Sequence, residues 1–312
     1  MGYRPYKNVD YFIESSPAGA FVGDSLLGFR LNPGQYDITL NNSVQFTTTH
    51  NAEGCRVIPV KANVDTLSAA SVHLYGCSFT YGYGVNDDET FAAHLQNELP
   101  ENNFTNHAVM GYGTCQAYLQ IKNDSQLKKG DLIVICFSDY HFNRNAMNRQ
   151  YRQDLKIGFE RSIEQVDQLM DGARFPYHEL GSTALSFVAW DSMYANWFGR
   201  FYSPGINFFQ SYYDNYLDRQ IDLVEVTAEV FRMIQRECLQ RELKLAILCI
   251  DQSPRTDVLQ ADLSDIFWQD VNFNFKDSSM THLPHDIHPS ASGHRYIFEK
   301  AVPFIRSLIH ED

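Results

Sequence analysis

The sequence predicts an α/β fold of three layers, with helices on both faces of a central parallel sheet. Two observations carry that expectation. From residue 71 onward, short apolar runs alternate with helical patterns, the rhythm of strand–helix–strand units. Within that rhythm the run LIVICF at 132–137 is apolar at every position, as a strand covered on both faces must be.

Taken in order, an apolar stretch at 72–75 reads as the first strand. It is followed by a Gly-rich loop and a helix over about 89–99. A second strand is expected at 104–109, a helix from 115 to 121, and the central strand at 132–137. A long amphipathic pattern at 217–241 predicts one helix, LAILCI at 245–250 another buried strand, and 290–308 a closing helix. Two segments stand outside the alternation. Residues 1–70 are rich in Tyr, Asn, Thr, Gly and Pro and alternate at 36–40 and 44–48, which predicts a β-rich N-terminal extension to a main domain at 71–312. Residues 140–215 are dense in aromatics and too long for a structureless loop, so a helical, aromatic-rich insertion capping the active-site side is expected.

Composition narrows the function. Of 312 residues, 44% are hydrophobic and the formal net charge is −13, with no cluster of Lys and Arg to offset it. Such a surface repels phosphate backbones, so nucleic acid is not expected as a partner. No apolar run is long enough for a membrane span, and the first residues lack a secretion-signal profile, which makes a cytoplasmic location the default. Six cysteines without a C-x-x-C pair read as buried thiols.

Two short segments could carry chemistry. Gly76-Cys77-Ser78-Phe79-Thr80-Tyr81-Gly82 follows the first strand and precedes a helix, so Ser78 would face the crevice at the carboxyl end of the sheet. A hydroxyl there is a weak nucleophile without a base, and a Ser in a Gly-rich loop is by itself as readily a turn. Asp286-Ile287-His288-Pro289 precedes the last helix. Imidazole is the side chain suited to proton transfer near neutrality, and a nearby carboxylate can orient it, although a surface turn reads the same way.

Together, Gly-x-Ser-x-Thr-x-Gly early and Asp-x-His-Pro-x-x-x-Gly-His late resemble the first and last blocks of the SGNH (GDSL-like) hydrolases. The resemblance covers about 71–139 and 217–308. It implies a flavodoxin-like α/β/α fold, Ser78 as nucleophile, His288 as base and Asp286 as its orienter. The first block usually has Asp before the Ser, where Cys77 stands. The last usually has Asp three residues before the His, where His285 stands, leaving Asp286 at two; a backbone carbonyl in its place would leave a dyad. Asn106 to Gly113 resembles the second block, which places oxyanion donors at the Ser78 and Gly111 backbones, with Gly113 an alternative. The third-block Asn is replaced by Ser138, for which Asn143 or Asn145 could substitute. Looser likeness at 27–34 and 51–56 to proteins of bacterial polysaccharide and acyl-transfer systems points to a small-molecule or O-acylated carbohydrate ester. No cofactor and no metal are expected.

Other readings stay open. The same site would serve an acyltransferase. His282, His285, Asp286, His288 and His294 could instead hold zinc, though their spacing matches no helix-face His pair. Cys77 could be the nucleophile. A degenerate, non-catalytic domain could bind glycans through aromatics such as Trp190 and Trp197.

Overall fold

The computed structural model describes residues 13–59, 70–162 and 165–310; the expected extension's stretches at 1–12 and 60–69 lie outside the described residues. The chain begins with β1 (Ile13–Ser16), β2 (Phe21–Asp24), β3 (Gly28–Leu31), β4 (Gly34–Leu40) and β5 (Val44–His50). Then follow β6 (Val72–Gly76), α1 (Ser78–Tyr81), α2 (Phe91–Glu98), β7 (Phe104–Asn106), α3 (Thr114–Asn123) and β8 (Leu132–Phe137). The next stretch holds α4 (Tyr140–Ala146), α5 (Arg149–Ser162), α6 (Val166–Leu169), β9 (Arg174–Tyr177), β10 (Ser186–Ala189) and α7 (Pro204–Asp218). The chain closes with α8 (Leu223–Gln240), β11 (Lys244–Cys249), α9 (Pro254–Asp262), β12 (Phe267–Asp270) and α10 (Ala291–His310).

Five strands form an all-parallel sheet in the order β12-β11-β8-β6-β7. β8 lies at its centre and is buried at every residue. Pleating sends Leu132, Val134 and Cys136 into the core shared with α2 and α10, and Ile133, Ile135 and Phe137 into the core shared with α3 and α8. The strand order reverses between β6 and β8, which is the flavodoxin-like arrangement, and open α/β sheets bind ligands beyond the carboxyl ends at such a switch.

Expected elements shift where side chains intervene. The pattern at 217–241 is divided between two helices: α7 ends at Asp218 and α8 begins after Asp222, whose carboxylate caps the Glu225 N–H. The second strand stops at Asn106 because that side chain accepts from the Ala108 N–H and bends the chain. β12 is a half-exposed edge strand with no apolar run to announce it. The 140–215 segment is helical for much of its length but also contains the β9–β10 hairpin.

A third core joins segments far apart in sequence. Phe29, Leu31, Tyr36 and Phe46 of the N-terminal strands pack with Met170, Phe175, Trp190 and Met193 of the insertion. The seam to the main sheet is Arg56, which bridges β5 at His50 and β7 at Asn106. Its guanidinium reaches Asp87 at 2.8 Å and the carbonyls of Tyr81, Gly82 and Val85 at 2.6–2.8 Å. His50 Nε2 meets the Tyr81 hydroxyl at 2.8 Å, and that hydroxyl donates to Thr48. Burial pushes the His50 imidazole down to about 4, so it stays neutral there. α1 is therefore clasped from below by the N-terminal strands. All six cysteines are buried and unpaired. Among the described residues no helix is long and apolar enough to cross a membrane.

Candidate active site

Ser78 owes its position to the turn between β6 and α1. At Gly76 a Cβ would lie 2.3 Å from Thr80 Oγ1 and 2.9 Å from the Cys136 carbonyl, so only glycine lets the strand end this close to β8. Cys77 is extended, Ser78 opens the helical turn, and Gly82 closes it in the left-handed region at φ 89°. Cys77 turns into the core with Leu74 and Phe79, which removes its thiol from the crevice. Ser78 is left at the carboxyl end of β6, beside the β6–β8 switch.

His288 and Asp286 come from the loop before α10. That loop is closed on itself by the Thr281–Pro289 bridge and by bonds from His282 N to the His288 carbonyl and from Asp286 N to the His282 carbonyl, both 3.1 Å. Asp286 Oδ1 accepts the backbone N–H of His288 at 2.8 Å and also pairs with its Nδ1. An aspartate turn of this kind naturally spans two residues, which is why the short Asp-x-His spacing still lets the carboxylate orient the ring. On the other side His288 Nε2 lies 2.7 Å from Ser78 Oγ, across 210 residues of chain. Phe79 and Tyr83 present ring edges to the imidazole at centroid distances of 5.2 and 4.9 Å. The His288 side chain keeps 13% of its surface exposed and Asp286 only 4%. Burial opposes the Asp286 charge, but the His288 side chain and backbone N–H, with His282 nearby, hold its carboxyl below the usual range.

The remaining expected residues divide. Gly111 adopts φ 77°, and its carbonyl accepts from the Tyr151 hydroxyl at 2.6 Å. The backbone N–H groups of Ser78 and Gly111 donate to no protein acceptor among the described residues. Ser138 is fully buried after β8, its Oγ accepting the Tyr140 N–H at 3.3 Å. Asn143 is half-buried and its Oδ1 accepts from Asn148. Asn145 is corrected from its expected role. It is fully buried, its carbonyl oxygen takes the Thr114 and Cys115 N–H groups, and its NH2 donates to Thr114 and Thr227. No donor is left for an oxyanion. Gly113 N–H is likewise spent on Gln116 Oε1.

The C-terminal histidines do not converge. His294 is fully buried, stacked on Phe91 and accepting its N–H, whereas His285 is exposed. Among the described residues the groups of this segment form no metal-ligating cluster. Trp190 is core, donating to Asp167, while Trp197 lies apart and 41% exposed. Sequence reasoning missed Phe79 and Tyr83 as walls of the imidazole and Arg56 as the clasp of α1; no periodicity or spacing marks any of them.

No family model matches the chain, and no curated protein matches it. Solved structures similar to it include an esterase from Pseudoalteromonas sp., in a form inhibited by monoethylphosphonate. Identity to it is 10%, over 77% of this chain and 99% of that one, at a TM-score of 0.41. Another is a member of the lipolytic protein G-D-S-L family from Veillonella parvula, with 11% identity, 76% and 99% coverage and a TM-score of 0.36. A third is a catalytic mutant of an acetylxylan esterase from Geobacillus stearothermophilus, with 11% identity, 78% and 95% coverage and a TM-score of 0.38. Overlaps this shallow carry no inference about activity; the reading below stands on the site's own geometry.

Proposed function

We propose that the chain is a serine esterase in which Ser78, His288 and Asp286 act as a unit on a carboxylic ester. The observation that carries this reading is the 2.7 Å contact between Ser78 Oγ and His288 Nε2, with Asp286 on the opposite ring nitrogen. In the first step His288 takes the Ser78 proton as the oxygen attacks the ester carbonyl. Asp286 holds the tautomer that leaves Nε2 free to accept and stabilises the imidazolium. The unspent N–H groups of Ser78 and Gly111 are the candidate donors to the tetrahedral oxyanion, with Ser138 at the third-block position. His288 then protonates the leaving alcohol, and water, activated by the same imidazole, releases the acid. A small or carbohydrate-borne acyl ester suits the role. A sugar hydroxyl replacing water would give acyl transfer through the same intermediate.

Short-chain aryl-ester turnover, paired with fluorophosphonate labelling, tests the reading. Wild type is expected to turn over ester and take the label on Ser78, and Ser78→Ala to do neither. A folded wild type that does neither overturns it.

A further inference from the structure

β6 has a second polar position, five residues before Ser78, on the face that packs under α3 and α8. Its pleat sends Val72 and Leu74 to the α2/α10 core and turns His73 and Tyr75 the other way. After β7 the chain folds His107 flat onto Tyr75, the rings 4.6 Å apart and 6° from parallel. That stacking brings His107 Nε2 to 3.0 Å from His73 Nδ1. Asp124, at the end of α3, completes the group: one ligand atom from each of the three residues lies within 4.8 Å of both others.

We propose that His73, His107 and Asp124 bind a divalent transition-metal ion, with zinc the representative, pinning the end of α3 to the edge of the sheet. Two imidazoles and a carboxylate are borderline donors suited to such an ion, and three protein ligands leave a coordination position open. The outer ring nitrogens face polar groups, the setting in which ligating histidines are held. His73 Nε2 lies 3.5 Å from the Asp131 carboxylate without a hydrogen bond to it, and His107 Nδ1 faces Cys55 Sγ at 3.3 Å. With both outer nitrogens protonated, the inner pair confronts lone pair to lone pair at 3.0 Å, an arrangement a cation between them relieves. Three buried polar atoms in or beside the cluster, His73 Nε2, the Tyr75 hydroxyl and Gln120 Oε1, have no hydrogen-bond partner among the described residues. Gln120 is tied to His107 by its own amide, at 3.0 Å from the His107 carbonyl. His107 and Asp124 are half-exposed, which gives the ion a way in.

The same contacts admit one metal-free arrangement: a relay from the Cys55 thiol through His107 and His73 to Asp131. Calorimetric titration of the chelator-treated full-length protein with zinc chloride separates the two. Expected are one equivalent bound, affinity at least tenfold weaker in Asp124→Asn and His107→Ala, and binding retained in Cys55→Ser. Zinc should also raise the melting temperature of wild type and not that of Asp124→Asn. Asp124→Asn is the variant safest to fold, because its side chain is half-exposed. No saturable binding by folded wild type, or equal binding by Asp124→Asn, overturns the site. Loss of binding in Cys55→Ser overturns this ligand set. Ester turnover is not the readout, so the outcome is independent of Ser78.

Discussion

Two histidine–carboxylate groups sit on β6, and they differ in what the strand lets them reach. At its carboxyl end, His288 leans over Ser78 from a loop, with a hydroxyl in front and a carboxylate behind. Near its amino end, His73 meets a second imidazole, and the third partner is the carboxylate of Asp124. Imidazole is common to both. What separates them is the group it faces: a hydroxyl that can lose a proton at one, a second ring nitrogen at the other. The carboxyl end of a strand is where open α/β sheets bind ligands, whereas the face His73 occupies packs under α3 and α8.

The sharpest way to break that comparison is to swap readouts. Ser78→Ala or His288→Ala should each lower kcat for an aryl ester by about three orders of magnitude or more, because such residues act as a unit. Both should leave zinc binding and the urea midpoint nearly unchanged. His107→Ala should do the reverse, weakening zinc and sparing kcat. If His107→Ala abolishes turnover in a folded protein, the two groups are one site.

Next in size is Asp286→Asn. The amide can still accept the His288 N–H, so the loop should persist, but the charge that stabilises the imidazolium is gone. A fall of about 10²–10⁴ in kcat is expected, the upper figure being that known for the corresponding change in a serine protease. Burial works against this carboxyl, and its contacts to His288 more than offset it, so its pKa lies below the usual value. Its contribution is therefore complete above pH 4 and fades only as pH falls through the lowered value. Followed by carboxyl 13C NMR, Asp286 should take up no proton of its own between pH 8 and pH 5. Proton uptake by that carboxyl within the range would mean that its surroundings have been misread.

A third change moves from chemistry to support. Arg56→Met removes a buried cation from Asp87 and three carbonyls while keeping much of its volume. An unpaired buried partner costs about 3–5 kcal/mol, read as a lower urea midpoint. Because Tyr81 and Gly82 end the turn that Ser78 begins, turnover should fall with it. An unchanged midpoint would mean that the N-terminal strands do not brace the turn.

These expectations were legible in the sequence to different depths. LIVICF at 132–137 could be placed residue by residue, since a doubly covered strand must be apolar throughout. Ser78 and His288 were legible because each sits in a local turn whose glycines and proline mark it, and because their order along the chain resembles a known pattern. Asn145 was not, because whether an amide is free depends on who else has taken its hydrogen bonds, and Thr114 and Thr227 come from other helices. The core shared by Phe29 and Trp190 was invisible for the same reason: no period links strands near the start to a hairpin more than a hundred residues later. His73, His107 and Asp124 come from a strand, a loop and a helix end, and no spacing rule joins those three.

The smallest expected effect lies between the two groups in character, at Asp251 just beyond β11. Burial, then the charge of Asp139, raise its carboxyl to about 6, even though the Asp139 backbone hydrogen bond pulls the other way. Asp139 is itself held by Ser253 and by Arg255 at 2.6 Å. A carboxyl raised in the folded state holds a proton that the unfolded chain has already lost. Stability therefore falls as pH rises from about 4 through 6 and stays lower above that. Asp251→Asn, close in shape and without charge, should recover the loss: about 1 kcal/mol at pH 8 after allowance for partial exposure, and nothing at pH 4. Chemical denaturation at the two pH values measures it. A gain of equal size at both would show that packing, not charge, is what the substitution relieves, and that the sheet's carboxyl end tolerates a second ionised carboxylate without cost.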